Sequence, residues 1–241
     1  MPSIRTRGII IKRFNLGESD RILTIITPDR GKIRAIAKGV RRPGSKLSGY
    51  LELFHYNEYM LAEGKNLDIV TSATTIDNLL GVGQSLKQVG LAYYIAETVD
   101  KLIEETQDAE PMFDLIYGTL RSLGEGGASI EALKSHFEIN LLTTLGFRPE
   151  LNRCVECGQE IDSSSAWFAP AMGGVLDQQH HTSDPTAIEL RGEALTQLRG
   201  LIGGSPTEVS NSVAQATADF MEHTVDRKLR SKDFMASVSD F

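Results

Sequence analysis

The sequence contains little cysteine and no long apolar run, and each absence excludes a class of protein. Only two of the 241 residues are cysteines, Cys154 and Cys157, and a pair so close together cannot cross-link a secreted disulfide-rich fold. No apolar stretch approaches the roughly 18–20 residues that a membrane-spanning helix needs. The N-terminal segment has cations on both sides of its apolar stretch and lacks a small-residue cleavage site, unlike a signal peptide. These features predict a cytoplasmic protein that does not bind membranes.

Recognisable catalytic motifs are also missing. The sequence contains neither a G-x-x-x-x-G-K-[ST] phosphate loop nor a G-x-G-x-x-G stretch after a strand. It also lacks a His-Glu-x-x-His motif and a Ser/His/Asp signature. The glycines of residues 123–129 lie between predicted helices and indicate a connector. The absence of these motifs favours a binding protein over an enzyme.

Charge is distributed unevenly along the chain. Residues 1–50 contain 12 Lys and Arg against 3 Asp and Glu, whereas residues 51–241 contain 13 against 29. The net charge of −7 therefore hides a basic N-terminal segment followed by an acidic remainder. A concentrated basic segment is typical of a surface that binds a polyanion. A basic face that is merely solvated would produce the same count.

The first 80 residues predict five short β-strands. The first covers residues 6–14, which are rich in β-branched residues. Two hairpins supply the other four strands, at 21–26, 32–38, 51–62 and 67–74. Five strands without a long intervening helix predict a small closed barrel over residues 1–80, because closure removes the exposed edges. An OB-fold is the first candidate, and an SH3-like barrel is the alternative.

The cations of this segment are expected to share a surface of the barrel. On the strand at 32–38, Lys32, Arg34 and Lys38 alternate with apolar residues, so a sheet would place them on one face. Residues 39–49 are rich in Gly, Ser and cations, with few apolar residues, and predict a mobile loop. The candidate nucleic-acid contacts are Arg5, Arg7, Lys12, Arg13, Lys32, Arg34, Lys38, Arg41, Arg42 and Lys46.

Single-strand binding by an OB-fold also needs aromatic side chains on which bases stack. The barrel offers five, at Phe14, Tyr50, Phe54, Tyr56 and Tyr59. Most of them are expected in the core, because a strand with two-residue alternation must bury one face. No residue of the segment is an evident reader of base edges. Binding is therefore predicted to tolerate any sequence and to weaken strongly with salt.

From residue 81 the apolar period lengthens to three or four residues, which predicts an α-helical domain over 81–241. Ser129 and Gly146 are expected to begin and end one of its helices. The helices are predicted at 83–103, 111–123, 129–147, 186–202 and 208–230. Residues 148–186 are too irregular for a helix and are predicted to form an insert. The predicted fold class is α+β.

The insert contains two pairs of potential zinc ligands. Cys154 and Cys157 are followed, after 19 residues, by Asp177 and His180, and His181 is an alternative to His180. This spacing matches the zinc ribbon, and zinc accepts cysteine, histidine and carboxylate ligands. The pattern predicts a structural zinc site. There are two alternatives. One is a redox site, which needs a cysteine with a lowered pKa. The other is a plain surface loop.

The stretch "GIIIKRFNLGESDRILTIITPDRGKIRAIAKGVRRPGSKLSGYLELF", which contains Gly17-Glu18, Asp20 and Gly39, resembles the RecO family of DNA recombination and repair mediators. Further similarity lies in "LLTTLGFRPELNRCVECGQ", "FAPAMGGVL" and "LRSKDFM". The resemblance extends over nearly the whole chain.

The resemblance implies an N-terminal OB-fold, an α-helical domain and a small zinc-ribbon-like insert. It implies a bacterial, nucleoid-associated protein that is not an enzyme and binds single- and double-stranded DNA. Such a protein anneals complementary strands, including strands coated with single-stranded DNA-binding protein (SSB), and with RecR it helps to load RecA. Zinc-binding members carry a second cysteine pair where this chain has Asp177 and His180. The competing interpretation is a protein-interaction scaffold with incidental polyanion binding, which the acidic helical region favours.

The DNA contacts implied by the resemblance lie on matching cations of the barrel, such as Arg34, Lys38, Arg41 and Arg42.

Overall fold

The structure, a computed structural model, describes residues 3–103, 109–161 and 165–225. Its packing divides the chain into two units, the first ending at Glu125 and the second beginning at Gly126. Strands give way to helical structure at Leu80, close to the predicted change of period. Among the described residues, the first unit contains a barrel and two α-helices, and the second contains a small sheet and three α-helices.

Five strands close into a barrel in the first unit. They are β1 (Ser3–Leu16), β2 (Asp20–Thr27), β3 (Gly31–Ala37), β4 (Tyr56–Ala62) and β5 (Asp68–Asp77). Their order around the barrel is β1-β2-β3-β5-β4, and every pair is antiparallel except the parallel pair of β3 and β5. β1 pairs with both β2 and β4 and thereby closes the sheet. The five-stranded closure is that of an OB-fold, which confirms the predicted fold class.

Alternating side chains on the first hairpin fill the barrel. Leu23 and Ile25 of β2 and Ala35 and Ala37 of β3 are fully buried in one cluster. Because side chains on a strand alternate between its two faces, the intervening residues of β3 point outward, and Arg34 is exposed. The hairpin therefore places its cations outside the barrel, as the alternation predicts.

The loop between β3 and β4 is better anchored than its composition predicts. Val40 and Leu51 are buried in the barrel cluster, and Leu47 packs against that cluster. Backbone hydrogen bonds such as Leu51 N to Leu47 O, at 3.3 Å, fold the segment into turns. Val40 and Leu47 belong to residues 39–49, so the segment predicted as a mobile loop with few apolar anchors has two contacts with the core. The strand predicted from residue 51 accordingly begins only at Tyr56.

Two helices pack with the barrel in the first unit, α1 (Leu86–Leu102) and α2 (Glu110–Glu125). The hydroxyl of Ser85 caps α1 by accepting a hydrogen bond from the Gln88 amide at 3.2 Å. The ring of Tyr56 on β4 lies 5.3 Å from that of Phe113 and 5.1 Å from that of Tyr117 on α2, between centroids. Aromatic contacts therefore join α2 to the barrel.

A four-stranded sheet and three helices form the second unit. The elements are α3 (Ile130–Thr144), β6 (Glu150–Cys154), β7 (Ala166–Ala169), β8 (Gly174–Leu176), β9 (Ile188–Leu190), α4 (Ala194–Leu201) and α5 (Asn211–Thr224). The sheet order is β6-β8-β7-β9, with β6 parallel to β8 and the other pairs antiparallel. Phe168 of β7 meets Phe220 of α5 edge to face at 5.5 Å, so α5 packs on the sheet.

One prediction for this unit needs correction. The helix predicted over 186–202 begins only at Ala194, because β9 pairs with β7 and Gly192, at φ +59°, follows the strand. Residues 148–186, predicted to be too irregular for a helix, contain three of the four strands. Strands of three to five residues are too short to produce a recognisable period. The helix predicted over 208–230 is α5, and residues 226–230 lie outside the described residues.

Within the three described ranges, no helix combines the length and the apolar character needed to cross a membrane.

Candidate nucleic-acid interface and candidate metal centre

The outer surface of β1, β2 and β3, called here the β1–β3 face, carries a polar row beside an apolar row. In the polar row, Lys12 lies opposite Thr24, and Thr24 lies opposite Arg34. In the next row, Phe14 lies opposite Ile22. An open pocket of about 450 Å³ covers both rows and is lined by Lys12, Phe14, Ile22, Thr24, Lys32, Arg34 and Asp100. The face therefore combines cations with an apolar surface.

Asp100, on α1, neutralises part of this pocket. Its carboxylate accepts a hydrogen bond from Lys12 Nζ at 2.5 Å. Lys32 Nζ donates to the backbone carbonyl of Asp100 at 2.7 Å and lies 3.9 Å from its carboxylate. Arg34 makes no ion pair with a carboxylate of the described residues. Of the three pocket cations, Arg34 is thus the one available to an incoming anion without exchange of a partner.

The cationic β3–β4 loop is tied to the turn between β1 and β2. The Asp20 carboxylate accepts a hydrogen bond from the Gly39 amide at 2.7 Å, and Gly39 has φ +66°. Arg41 donates from its amide to Ser19 O at 2.9 Å and from its guanidinium to Gly17 O at 3.0 Å. Gly17, Asp20 and Gly39, which the sequence analysis singles out, therefore position the start of the β3–β4 loop.

Asp20 remains ionised in this position. The hydrogen bond from Gly39, followed by one from the Ser19 hydroxyl, holds the pKa of Asp20 below its ordinary value, and the charges of Arg42 and Lys38 add to the effect. Because the folded-state pKa is depressed, the stabilisation is present above the unfolded-state pKa and is lost as the pH falls through the folded value. The tether is therefore intact at neutral pH.

The ten candidate DNA contacts do not all share one surface. Arg5 and Arg7 lie on the half of β1 that pairs with β4, whereas Lys12 and Arg13 lie on the half that pairs with β2. Arg5 pairs with Glu58 at 2.6 Å, and Arg13 pairs with Glu52. Within the described ranges, the candidates among these ten that make no ion pair with a carboxylate are Arg7, Arg34, Lys38, Arg41, Arg42 and Lys46.

The five aromatic residues of the barrel differ sharply in exposure. Tyr56 and Tyr59 are buried, and Phe54 is half-buried with its ring 5.6 Å from that of Tyr93. Tyr50 is exposed, and Phe14 is 67% exposed in the pocket of the β1–β3 face. Phe14 could have been singled out from sequence, because it lies two residues after Lys12 on the same side of a strand.

Asp100 was not found by sequence reasoning, and no local signal indicates it. It lies 88 residues from Lys12 along the chain, and nothing in its own helix predicts a partner on the barrel. The contact follows only from how α1 packs against β1.

The parallel pairing of β6 and β8 brings the two candidate ligand pairs of the second unit together. Cys154 lies opposite Val175, and the amide of Val155 donates to Val175 O at 2.9 Å. The turn after β6 is closed by a hydrogen bond from the Gly158 amide to Cys154 O at 2.8 Å, with Gly158 at φ +75°. Because adjacent parallel strands end at the same edge, the turns that follow them lie side by side.

Cys154, Cys157, Asp177 and His180 form the candidate metal centre, with one ligand atom from each within 4.8 Å of all the others. Cys154 Sγ is 3.9 Å from His180 Nδ1, and Cys157 Sγ is 3.2 Å from Asp177 Oδ2. Zinc bonds of about 2.0–2.3 Å in a tetrahedron give ligand spacings of this size. The donor set and its spacing fit zinc. His181 is outside the cluster, with its ring 4.9 Å from that of Trp167.

Hydrogen bonds within the candidate metal centre shift the pKa values of Asp177 and Cys157. Burial raises the pKa of Asp177, but hydrogen bonds from Cys157 and His180 and from the backbone amides of His180 and Gln179 outweigh it and lower the pKa. A backbone hydrogen bond with Gln159 lowers the pKa of Cys157, but burial and hydrogen bonds with Asp177 and Cys154 raise it overall. A redox cysteine needs the opposite shift.

Two family models together match nearly the whole chain. The one described as "Recombination protein O N terminal" matches residues 1–79, and the one described as "Recombination protein O C terminal" matches residues 83–233. The chain belongs to the RecO family. This confirms the resemblance drawn from the residues and assigns the RecO-family chain to DNA repair and recombination.

Similar curated proteins carry the name "DNA repair protein RecO". One from Roseiflexus sp. is 36% identical over 244 residues, which cover 97% of this chain and 85% of the relative. One from Dehalococcoides mccartyi is 40% identical over 172 residues, which cover 71% of this chain and 68% of the relative. One from Symbiobacterium thermophilum is 30% identical over 242 residues and covers 96% of both chains. The RecO-family similarity thus extends over both units.

Proposed function

We propose that the protein is a non-enzymatic mediator of DNA repair and recombination that binds single- and double-stranded DNA through residues 1–80. The observation that carries this proposal is the group of barrel cations that make no ion pair with a carboxylate, above all Arg34, Lys38, Arg41 and Arg42. A free guanidinium or ammonium can replace the counterions of a phosphate without first losing a carboxylate partner. OB-folds use the face that contains β2 and β3 for nucleic acids.

Strand annealing follows from the same charges. Two complementary strands repel each other through their phosphates, and a cationic surface that binds both lowers this repulsion. Contacts to phosphates leave the base edges free to pair and carry no sequence information. We therefore propose that the protein anneals strands of any sequence.

The proposed partners include proteins as well as DNA. We propose that the protein acts on strands coated with SSB and that with RecR it promotes loading of RecA. The acidic remainder of the chain, with 29 Asp and Glu against 13 Lys and Arg in residues 51–241, is unsuited to phosphates and is available for protein contacts. Its acidity also supports the alternative function, a scaffold that binds proteins and binds DNA only incidentally.

Annealing of complementary oligonucleotides, with and without an SSB coat, tests the proposal. The full-length protein is expected to accelerate annealing of both substrates. Its affinity for single strands should fall about 50-fold between 50 and 200 mM salt if four cations contact phosphates. Annealing can be followed by fluorescence energy transfer between labelled strands. Absence of DNA binding at low salt, with binding to SSB or RecR retained, would establish the scaffold instead.

We also propose that Cys154, Cys157, Asp177 and His180 hold a structural zinc ion. All four positions of a tetrahedral site would be filled by protein ligands, as in closed structural sites. The ion would link the turn after β6 to the turn after β8, in a unit whose sheet has strands of only three to five residues. Bound zinc would supply cross-linking and a positive charge, and we assign it no catalytic role.

Asp100→Asn is expected to strengthen DNA binding. The substitution removes the carboxylate that accepts from Lys12, while Lys32 keeps its hydrogen bond to the backbone carbonyl. One cation is thus released, and we expect about a three- to tenfold gain in affinity at 50 mM salt and a steeper salt dependence. Titration of a labelled single strand by fluorescence anisotropy measures both.

Asp68→Asn is the matched control for this gain, because it removes the same charge from a pair with Arg30, outside the pocket. Equal gains in the two variants would show that net charge, and not release of Lys12, is responsible.

A further inference from the structure

The pocket on the β1–β3 face offers two kinds of surface within the reach of one ligand group. Phe14 and Ile22 form its apolar row, and Lys12 and Arg34 stand in the polar row beside it. Residues two apart on a strand, such as Lys12 and Phe14, are separated by roughly 6.5–7 Å. A ligand that fits must therefore carry an anion and a flat apolar group a short distance apart.

Phe14 is the unusual member of the pocket. It is 67% exposed, although burial of a phenylalanine ring would stabilise the fold. The neighbouring Ile22 is only partly buried, so together they present a continuous apolar floor. The pocket contains three cations against one carboxylate, and that carboxylate already pairs with Lys12. Charge complementarity selects an anionic occupant, and the exposed ring selects a planar one.

We infer that this pocket holds one unstacked nucleobase against the ring of Phe14, with the adjoining phosphate on Arg34, so that the β1–β3 face selects single-stranded DNA. The inference rests on the proposed function, because it assumes that the barrel binds DNA. A base of a single strand can leave its neighbours and stack on an aromatic ring, whereas both faces of a base in a duplex are covered. Phosphate contacts alone do not make this distinction.

Phe14→Ala in the full-length protein tests the inference. The variant should bind a single-stranded oligonucleotide about tenfold more weakly, because alanine removes the stacking surface. Its affinity for a duplex should change less than about twofold, because phosphate contacts supply non-specific duplex binding. Phe14→Trp should keep the single-strand affinity, and Phe14→Leu, which is apolar without an aromatic face, should not. Fluorescence anisotropy at fixed salt measures both substrates.

Phe147→Ala is the matched control, because Phe147 is 52% exposed, belongs to the second unit and does not line the pocket. It should bind both substrates as the parent does. An oligonucleotide containing 2-aminopurine gives a second readout, because neighbouring bases quench this base in the free strand and its fluorescence rises when it leaves them. The rise should be lost in Phe14→Ala and kept in Phe147→Ala.

Four outcomes would overturn the inference, and they can be told apart. If the parent binds DNA and Phe14→Ala binds single strands equally well, the pocket is not a base site, although the proposed function stands. Equal losses for single strands and duplex would assign Phe14 a general structural role. If an acidic peptide with a terminal phenylalanine needs Phe14 and single-stranded DNA does not, the occupant is a peptide. If the parent binds no DNA at low salt, the proposed function and the inference fail together.

Discussion

Simultaneous replacement of Arg34, Lys38, Arg41 and Arg42 by alanine is expected to weaken single-strand binding by about 10²–10³-fold at 50 mM salt. If each of the four contacts one phosphate, the slope of log affinity against log salt should also become shallower by about 3. Both changes have the same physical cause, which is that fewer counterions are released on binding. Fluorescence anisotropy at several salt concentrations gives both quantities.

The four substitutions should leave the barrel folded. Arg34 is exposed on β3, and the loop keeps its buried anchors Val40 and Leu51. The variant loses the hydrogen bond from the Arg41 guanidinium to Gly17 O. It keeps the backbone hydrogen bonds from Gly39 to Asp20 and from the Arg41 amide to Ser19 O, which hold the start of the loop. The melting temperature should therefore change by only a few degrees.

A second fourfold variant provides the control for charge. It replaces exposed cations outside the candidate contacts and lowers the net charge by the same amount. The four positions are Lys87, Arg121, Arg148 and Arg191. DNA affinity of this control should remain within a few-fold of the parent. Unaltered affinity in the first variant would show that the assigned surface is wrong, and equal losses in the two would indicate an effect of net charge alone.

Cys154→Ser is expected to lower the melting temperature of the zinc-loaded protein by at least about 10 °C. Loss of a structural metal ligand typically costs several kcal/mol, and about 1 kcal/mol shifts the melting temperature of a 60–100-residue unit by about 4–8 °C. Cys154 is 1% exposed and lies at the end of β6, whose backbone pairs with β8. After chelation the parent and the variant should melt at nearly the same temperature, because neither then holds the ion.

Adjacent histidines supply a matched pair for this experiment. His180 belongs to the candidate metal centre, whereas His181 lies against Trp167. His180→Asn should lower zinc content and melting temperature, and His181→Asn should lower neither by a comparable amount. Metal analysis of protein purified without chelator gives the zinc content. If Cys154→Ser melts like the parent with and without zinc, the cluster is held by its own hydrogen bonds and the proposed ion is absent.

Sequence reasoning succeeded where a local rule decides the position of a side chain. Alternation along β3 placed Arg34 outside and Ala35 inside, because the two faces of a strand follow a two-residue period. Spacing alone paired Cys154 and Cys157 with Asp177 and His180, since ribbon ligands lie on two short turns at a narrow range of separations. The structure brings those four residues together.

Sequence reasoning failed where the burial or strand pairing of a residue depends on distant parts of the chain. Residues 188–190 were predicted as helix, but their backbone pairs with β7, and a three-residue strand has no detectable period of its own. Residues 39–49 are predicted to have few apolar anchors, although Val40 enters the barrel core and Leu47 packs against it. The composition of one segment does not show which of its residues are buried, because several segments form the core together.

The sequence by itself determined the fold class, the family, the outward position of Arg34 on β3 and the four candidate metal ligands. Backbone periodicity and short-range spacing are local properties, and they persist in any tertiary arrangement that buries the apolar face. Only the tertiary structure decided which of the barrel cations make no ion pair with a carboxylate. Asp100 reaches Lys12 and Lys32 across the packing of α1 on β1, and Phe14 is exposed in the same pocket as Arg34. Such contacts depend on three-dimensional distance, which separation along the chain does not encode.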